Sequence, residues 1–323
     1  MLVLYTLLLM GPAAEEARPL TLLNRLSLLR LLAGEEICYD AYIHKAGIWF
    51  HVGEATFKVE KRKGPTGGLL LRGIAKGGKF GYHIRMLWES YLDGKTLLPT
   101  LSVNTKTGSE RRFERYLFQK GEVLYFKKKH CHRPDCKNPA HFVRKTKWFG
   151  PIPVGKETVH CPGCKDLRHY IWRLIWRHKV NEPFLDMLSA VYAARTSTFR
   201  PGASFIVPVV KSRDRWHVKV TAAKEEKVKV SAGTFDCYKI ILEPHNVGDR
   251  PNAKPKFSGL FGIQGTISIW VDKVTRVPVR IKGSIPFAFL TLYCDVQLKR
   301  ATGTPEAFKL AANDILGRAP AAQ

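Results

Sequence analysis

The chain has 323 residues, 45% of them apolar, which is enough for a sizeable core and too apolar for a disordered polymer. With 53 Lys and Arg against 27 Asp and Glu it carries a formal charge of +26, which favours polyanionic partners such as anionic lipid headgroups, acidic glycans or nucleic acid. The basic residues are spread along the chain and form no single tract, so nucleic acid is the least favoured of these and a solvated basic surface is the plain alternative.

Residues Leu2 to Met10 form a short apolar run followed by Gly11, Pro12, Ala13 and Ala14, a signal-peptide-like core and cleavage region that lacks a basic stretch before it. Leu20 to Leu32 is Leu-rich, with Arg25 and Arg30 between, and Gly34 is a natural helix stop; it reads as a membrane-surface helix or as a helix packed on the core. Residues 1–34 are therefore taken as a leader. Neither apolar run reaches the ~18 to 20 residues of a membrane span, so no transmembrane helix is expected.

From Glu35 a period of two takes over. Ile37, Tyr39, Ala41 and Ile43 alternate with Cys38, Asp40, Tyr42 and His44, and Ile48 to Val59 follows with a bend at Gly53. Lys61 to Gly68 is a loop by composition. Further strands are expected at Tyr82–Tyr91, Arg112–Gln119 and Glu122–Lys128.

His130 to Cys164 concentrates metal-binding and disulfide-forming residues. Four residues separate Cys131 from Cys136 and two separate Cys161 from Cys164, and the Pro- and Gly-containing stretch between the pairs lets the chain turn back. Two short chelate loops of this kind can present four thiolates to one tetrahedral Zn, with His132, His141 or His160 able to replace a sulfur. In an oxidising compartment the same residues form a disulfide knot, and Cys161-Pro-Gly-Cys164 alone is a CxxC redox unit without the βαβ setting such units occupy.

His169 to Lys179, with Tyr170, Trp172, Leu174 and Trp176 on one phase, reads as a buried strand. Asn181, Glu182 and Pro183 are good helix-start chemistry, so a helix is expected from Glu182 to Arg195. On it Phe184, Leu185, Leu188, Val191 and Tyr192 share one face, and Arg195 falls in the middle of that face. A cation there requires a carboxylate, helix-end carbonyls or water, and a structural ion pair is the simplest solution. If a ligand binds, Arg195 and Tyr192 are the expected contacts for it. Strands are expected again at Phe205–Val210, Trp216–Val220, Glu226–Val230, Asp236–Leu242, Thr266–Val271 and Val277–Ile281. The clearest is the last, in which Leu290, Leu292, Cys294, Val296 and Leu298 face inward. His245 to Gly259 is a polar loop, and residues 300–323 are a tail.

The fragments Gly34-Glu-Glu-Ile-Cys-Tyr-Asp40, Leu185 to Arg195, Ala232-Gly-Thr-Phe235, Ile269-Trp-Val-Asp272 and Arg276-Val-Pro-Val-Arg-Ile281 resemble, in order and spacing, the bacterial exported-protein family called domain of unknown function 3108. The resemblance implies a periplasmic or otherwise exported protein with a curved antiparallel sheet or barrel capped by a helix. None of the fragments is a catalytic signature, and the chain offers no Ser/His/Asp arrangement, phosphate loop or paired-carboxylate spacing. The expectation is an all-β domain over 35–299, capped by one α-helix and interrupted by a Cys/His-rich insertion at 130–164. The expected function is non-enzymatic binding of an anionic or apolar partner: a lipid, a glycan, a lipoprotein or another envelope protein. A metal-dependent enzyme built on the Cys/His cluster and a basic nucleic-acid binder are the alternatives.

Overall fold

Alternating burial organises almost the whole chain into antiparallel strands. The computed structural model describes residues 26–304 and Glu306, apart from 46, 64–66, 80, 131–138, 140–141, 161–169, 198, 249–255 and 288–289. A 3-10 turn, Ser27–Leu32, leads into β1 (Glu36–Lys45), β2 (Ile48–Lys61), β3 (Leu69–Lys79), β4 (Tyr82–Leu92), β5 (Pro99–Gly108), β6 (Arg112–Gln119) and β7 (Glu122–His130). The hairpin β8 (Phe142–Phe149) and β9 (Ile152–His160) follows, then β10 (Tyr170–Lys179) and the helix α1 (Met187–Arg195). The remainder is β11 (Ser204–Lys211), β12 (Asp214–Val230), β13 (Gly233–Asn246), β14 (Gln264–Asp272), β15 (Pro278–Phe287) and β16 (Leu290–Thr302). No described helix is long and apolar enough to cross a membrane.

Fourteen of these strands form one sheet in the order β10-β7-β6-β5-β4-β3-β2-β1-β16-β15-β14-β13-β12-β11, and β8–β9 stands apart as its own two-stranded sheet. The large sheet curls until its two edges approach. His178 Nε2 lies 3.0 Å from the Ser212 carbonyl, Arg215 donates to the Lys179 carbonyl at 2.7 Å, and Ser212 N–H donates to the Tyr116 hydroxyl at 2.9 Å. Leu185 pairs with the outer edge of β11, donating to the Pro208 carbonyl and accepting from Val210 N–H. Closing the edge in this way covers backbone groups that would otherwise template a further strand.

The strand order also repeats. β1–β6 and β11–β16 are both six-stranded meanders, laid head to tail in the sheet, and each is preceded by a helical turn and a left-handed glycine, Gly34 (φ 98°) or Gly202 (φ 81°). The turn after the fourth strand of each half is built alike, from Asp93-Gly-Lys-Thr-Leu-Leu-Pro99 and Asp272-Lys-Val-Thr-Arg-Val-Pro278. In each, the Asp carboxylate accepts the backbone N–H groups two and three residues on and the Thr hydroxyl. In each, the fifth residue is left-handed, Leu97 at φ 56° and Arg276 at φ 57°. An arginine from the preceding helical turn donates to the carbonyls of each turn: Arg30 to Gly94 and Lys95, Arg195 to Arg276 and Thr275.

Three expectations are corrected. The helix starts at Met187, not Glu182, because Leu185 spends its backbone groups on β11 and the Asp186 carboxylate caps the free amides of Leu188 and Ser189. Far from being a buried strand, β10 lies at a sheet edge with Ile171, Trp172 and Leu174 exposed. Trp216–Val220 and Glu226–Val230 belong to one strand, β12, whose register slips between Ala222 and Lys224 and breaks the alternation there. Strands β3, β5, β8 and β9 were not expected from the sequence.

A candidate ligand cavity beneath the helix

Asp186 sets the helix in place. Its carboxylate accepts hydrogen bonds from Ser90 Oγ on β4 at 2.6 Å and Ser189 Oγ at 2.8 Å while capping the first turn, so the helix start is tied to the wall of the sheet. Burial pushes its pKa up, and these bonds act against that rise. The face that results carries Leu188, Val191, Tyr192 and Arg195 toward the concave side of the sheet.

At the other end of the helix Arg195 is 3% exposed and forms a bidentate pair with Glu35, Nη1 to Oε2 at 2.6 Å and Nη2 to Oε1 at 2.7 Å. Its Nε donates to the Arg276 carbonyl at 3.0 Å, and its guanidinium lies 5.2 Å from the Tyr192 ring centroid. Burial disfavours the Arg195 cation, but the Glu35 carboxylate outweighs it and raises the pKa. Thr304 Oγ1 donates to the same carboxylate at 2.7 Å. Tyr39 donates its hydroxyl to the Pro278 carbonyl at 2.8 Å, and burial first of all drives its phenol pKa well up.

Between the helix and the sheet lies a cavity of about 90 Å³. Tyr39 and Phe57 on one side, Met187, Val191 and Tyr192 on the helix, and Phe261 from the 3-10 turn Leu260–Gly262 are among its walls. Phe261 is held edge-on to Phe57 and Trp88, with centroids 5.9 and 5.6 Å away. Arg195 lines the cavity too, with its charge already matched by Glu35. The Tyr192 hydroxyl is buried with no hydrogen-bond partner among the described residues, and burial pushes its pKa up.

The metal-ligating residues inferred from the sequence cannot be placed in the same way. Cys131, Cys136, Cys161, Cys164, His132 and His141 lie outside the described residues, as does the side chain of His160. One carboxylate and imidazole grouping that sequence reading missed is Asp40, His51 and Glu54 on β1 and β2, in which Asp40 is buried. Lys299 Nζ already sits 3.3 Å from Asp40 and 2.5 Å from Glu54, so an ammonium fills the place a metal cation would take. Asp40 and Glu54 are direct partners across β1–β2, and His51, three residues before Glu54 and out of phase with it, joins them across the register slip between Ala41 and Tyr42.

The sequence family described as “Protein of unknown function (DUF3108)” matches residues 38–139 and 173–295. No curated protein matches the chain. Among solved structures, the chain is similar to a beta-barrel-like protein of domain of unknown function DUF1849 from Brucella abortus, with 9% identity, a TM-score of 0.41 and coverage of 84% of this chain and 97% of that one. A “putative lipoprotein” from Parabacteroides distasonis ATCC 8503 aligns at 12% identity and TM-score 0.27, over 84% of this chain and 95% of its own. A “putative exported protein with YmcC-like fold” from Bacteroides fragilis NCTC 9343 aligns at 13% identity and TM-score 0.24, over 84% and 96%.

Proposed function

The chain belongs to the DUF3108 family, and from that premise we propose that it is a non-enzymatic bacterial envelope protein, periplasmic or exported, that receives the acyl end of a lipid or lipoprotein in the cavity beneath α1. The observation that carries this reading is the cavity's lining. Its walls are almost wholly aliphatic and aromatic, which suits a hydrocarbon chain and not a glycan. A volume of about 90 Å³ is well below the roughly 300–1,000 Å³ of an ordinary small-molecule site, so the fit is to a chain end, not to a whole amphiphile. Arg195, Tyr192 and Tyr39 carry polar groups beside it, and the Tyr39 hydroxyl is already donated to the Pro278 carbonyl. Of these, the Tyr192 hydroxyl is the group with hydrogen-bonding capacity to spare among the described residues.

The test is to purify the full chain without detergent, extract it with organic solvent and identify any lipid by mass spectrometry, then to titrate it with a fluorescent fatty acid. Saturable binding that is abolished in Val191→Trp, where an indole fills the space, is the expected result. Absence of saturable binding in the unsubstituted protein, or equal binding by the variant, would sink the reading.

The Cys/His block is proposed as a structural knot at the base of the β8–β9 hairpin, tied by one zinc ion or by disulfides. Its support is topological: His130 pairs with Tyr170 and Phe142 with His160, so the two connecting segments that carry the cysteines run between the same two paired positions. Elemental analysis with thiol counting under denaturation distinguishes about one zinc per chain with reduced thiols from a metal-free disulfide form. Free thiols without metal would exclude both.

A further inference from the structure

The hairpin β8–β9 lies in the stretch between the two segments that match the family, and every residue from Arg144 to Thr158 is exposed. At its tip Trp148 is 61% exposed, Phe149 77%, Ile152 61% and Val154 54%. The cross-strand pairs Phe149 with Ile152 and Trp148 with Pro153 gather these side chains at one end, around the turn Gly150-Pro151. A folded domain does not ordinarily leave two large aromatics and two branched aliphatics together in water; such clusters mark a surface that is covered in use.

The residues behind the tip indicate what covers it. Arg144, Lys145, Lys147 and Lys156 stand on the stem against a single acid, Glu157. At roughly 3.4 Å per residue, Lys147 sits one residue and Lys145 three residues back from Trp148, so the cations lie about 3 to 10 Å behind the first aromatic ring. That spacing matches an interfacial element whose apolar part enters the headgroup and acyl boundary by about 5–10 Å while its lysines meet lipid phosphates. Tryptophan at the boundary and prolines at the tip suit the same placement, since the indole favours the interface and Pro151 in the turn and Pro153 at the start of β9 have no N–H to desolvate.

We propose that the Trp148–Val154 tip of the β8–β9 hairpin is a membrane-docking element that inserts into the surface of an anionic phospholipid bilayer. This goes beyond ligand binding in the cavity and does not depend on it. A second copy of the chain, seated tip to tip, is the competing occupant.

The test is flotation of the full chain with vesicles of phosphatidylcholine alone and with vesicles in which about a third of it is replaced by phosphatidylglycerol. The chain is expected to float with the anionic vesicles, and Trp148→Ser/Phe149→Ser to lower its partition at least about tenfold. Lys145→Gln/Lys147→Gln/Lys156→Gln is expected to lower it by a similar factor and to weaken its salt dependence. Quenching of tryptophan fluorescence by vesicles of brominated phosphatidylcholine and phosphatidylglycerol, diminished in Trp148→Phe, reads insertion directly and does not require the double variant to be made. No binding to anionic vesicles overturns the proposal, as do binding that persists in the tip variant, quenching that is the same in Trp148→Phe, and a tip-dependent dimer without vesicle binding. Failure of the cavity reading is separate: a chain that binds no fatty acid yet floats through its tip loses that reading and keeps this one.

Discussion

Two buried arginines meet the same problem in opposite ways. Arg195 has a carboxylate, Glu35, in a forked arrangement, whereas Arg276 is fully buried over the rings of Phe199 and Tyr238, 5.6 and 5.5 Å from their centroids. Among the described residues no carboxylate forms an ion pair with its guanidinium, and burial pushes its pKa down against the opposing pull of Tyr238 and Asp272. Leu97 occupies the corresponding place in the other half. Arg195→Met is therefore expected to cost about 3–5 kcal/mol, because Glu35 is left charged and dry, with much of the loss recovered in Arg195→Met/Glu35→Gln. Arg276→Leu is expected to be neutral or stabilising by up to about 3 kcal/mol, because it removes a poorly satisfied charge and keeps the carbonyl that Arg195 uses. Urea unfolding midpoints check both. A sequence reading reaches Arg195 because a cation on an apolar stripe must be answered. It does not reach Glu35, which stands just before the first strand and meets Arg195 only through the closing of the sheet.

At the scale of elements, legibility followed alternation. β1 and β16 were readable because apolar and polar residues alternate along each, although Asp40 and Asp295 on the polar faces are buried, while β3 and β5 were not. The second half of β3 is Gly-rich, and Gly73 is glycine because a Cβ there would lie 2.6 Å from the Phe57 ring; β5 has few apolar residues to mark a phase. The two Asp turns were also in plain sight as a repeated Asp-x-x-Thr-x-Leu/Val-Pro. Asp93→Ala and Asp272→Ala are each expected to cost about 1–2 kcal/mol, since each removes the acceptor for two backbone amides and a hydroxyl. The pH dependence of the Asp93 contribution has a definite sign. The Thr96 and Lys95 amides lower its pKa from the ordinary value of 3.8, so its stabilisation is present above that value and is lost as pH falls through the lower folded value. Asp93→Asn should accordingly differ most from the unsubstituted protein near neutrality and converge with it in acid, as followed by thermal unfolding across pH.

For the whole molecule, the direct pairing of His130 with Tyr170 means that the sheet is continuous without anything that lies between them. Replacing residues 131–169 by Asn-Gly, a two-residue hairpin turn, should leave a protein that unfolds cooperatively with a midpoint shifted by no more than about 2–4 °C. It should still bind fatty acid and should lose flotation with anionic vesicles. Calorimetry and the two binding assays report these outcomes separately. The β-rich class could be anticipated from sequence; the curl of a single fourteen-stranded sheet could not, because each strand's neighbour is decided by turns and by pairing across most of the chain, such as β1 with β16.

The head-to-tail repeat leaves the molecule with two seams of unequal quality. At one, the first strand of the leading half is zipped directly to the last strand of the trailing half, with nine paired positions between β1 and β16. At the other, where β11 would meet β6 if the repeat were perfect, two supernumerary strands, β7 and β10, have been let in and the gap is stitched by side chains and the Leu185 bridge. Chain can be added at that second seam without disturbing either half. It is where the hairpin grows, and it places an appendage with its own surface chemistry on a sheet whose walls need not change to accommodate it.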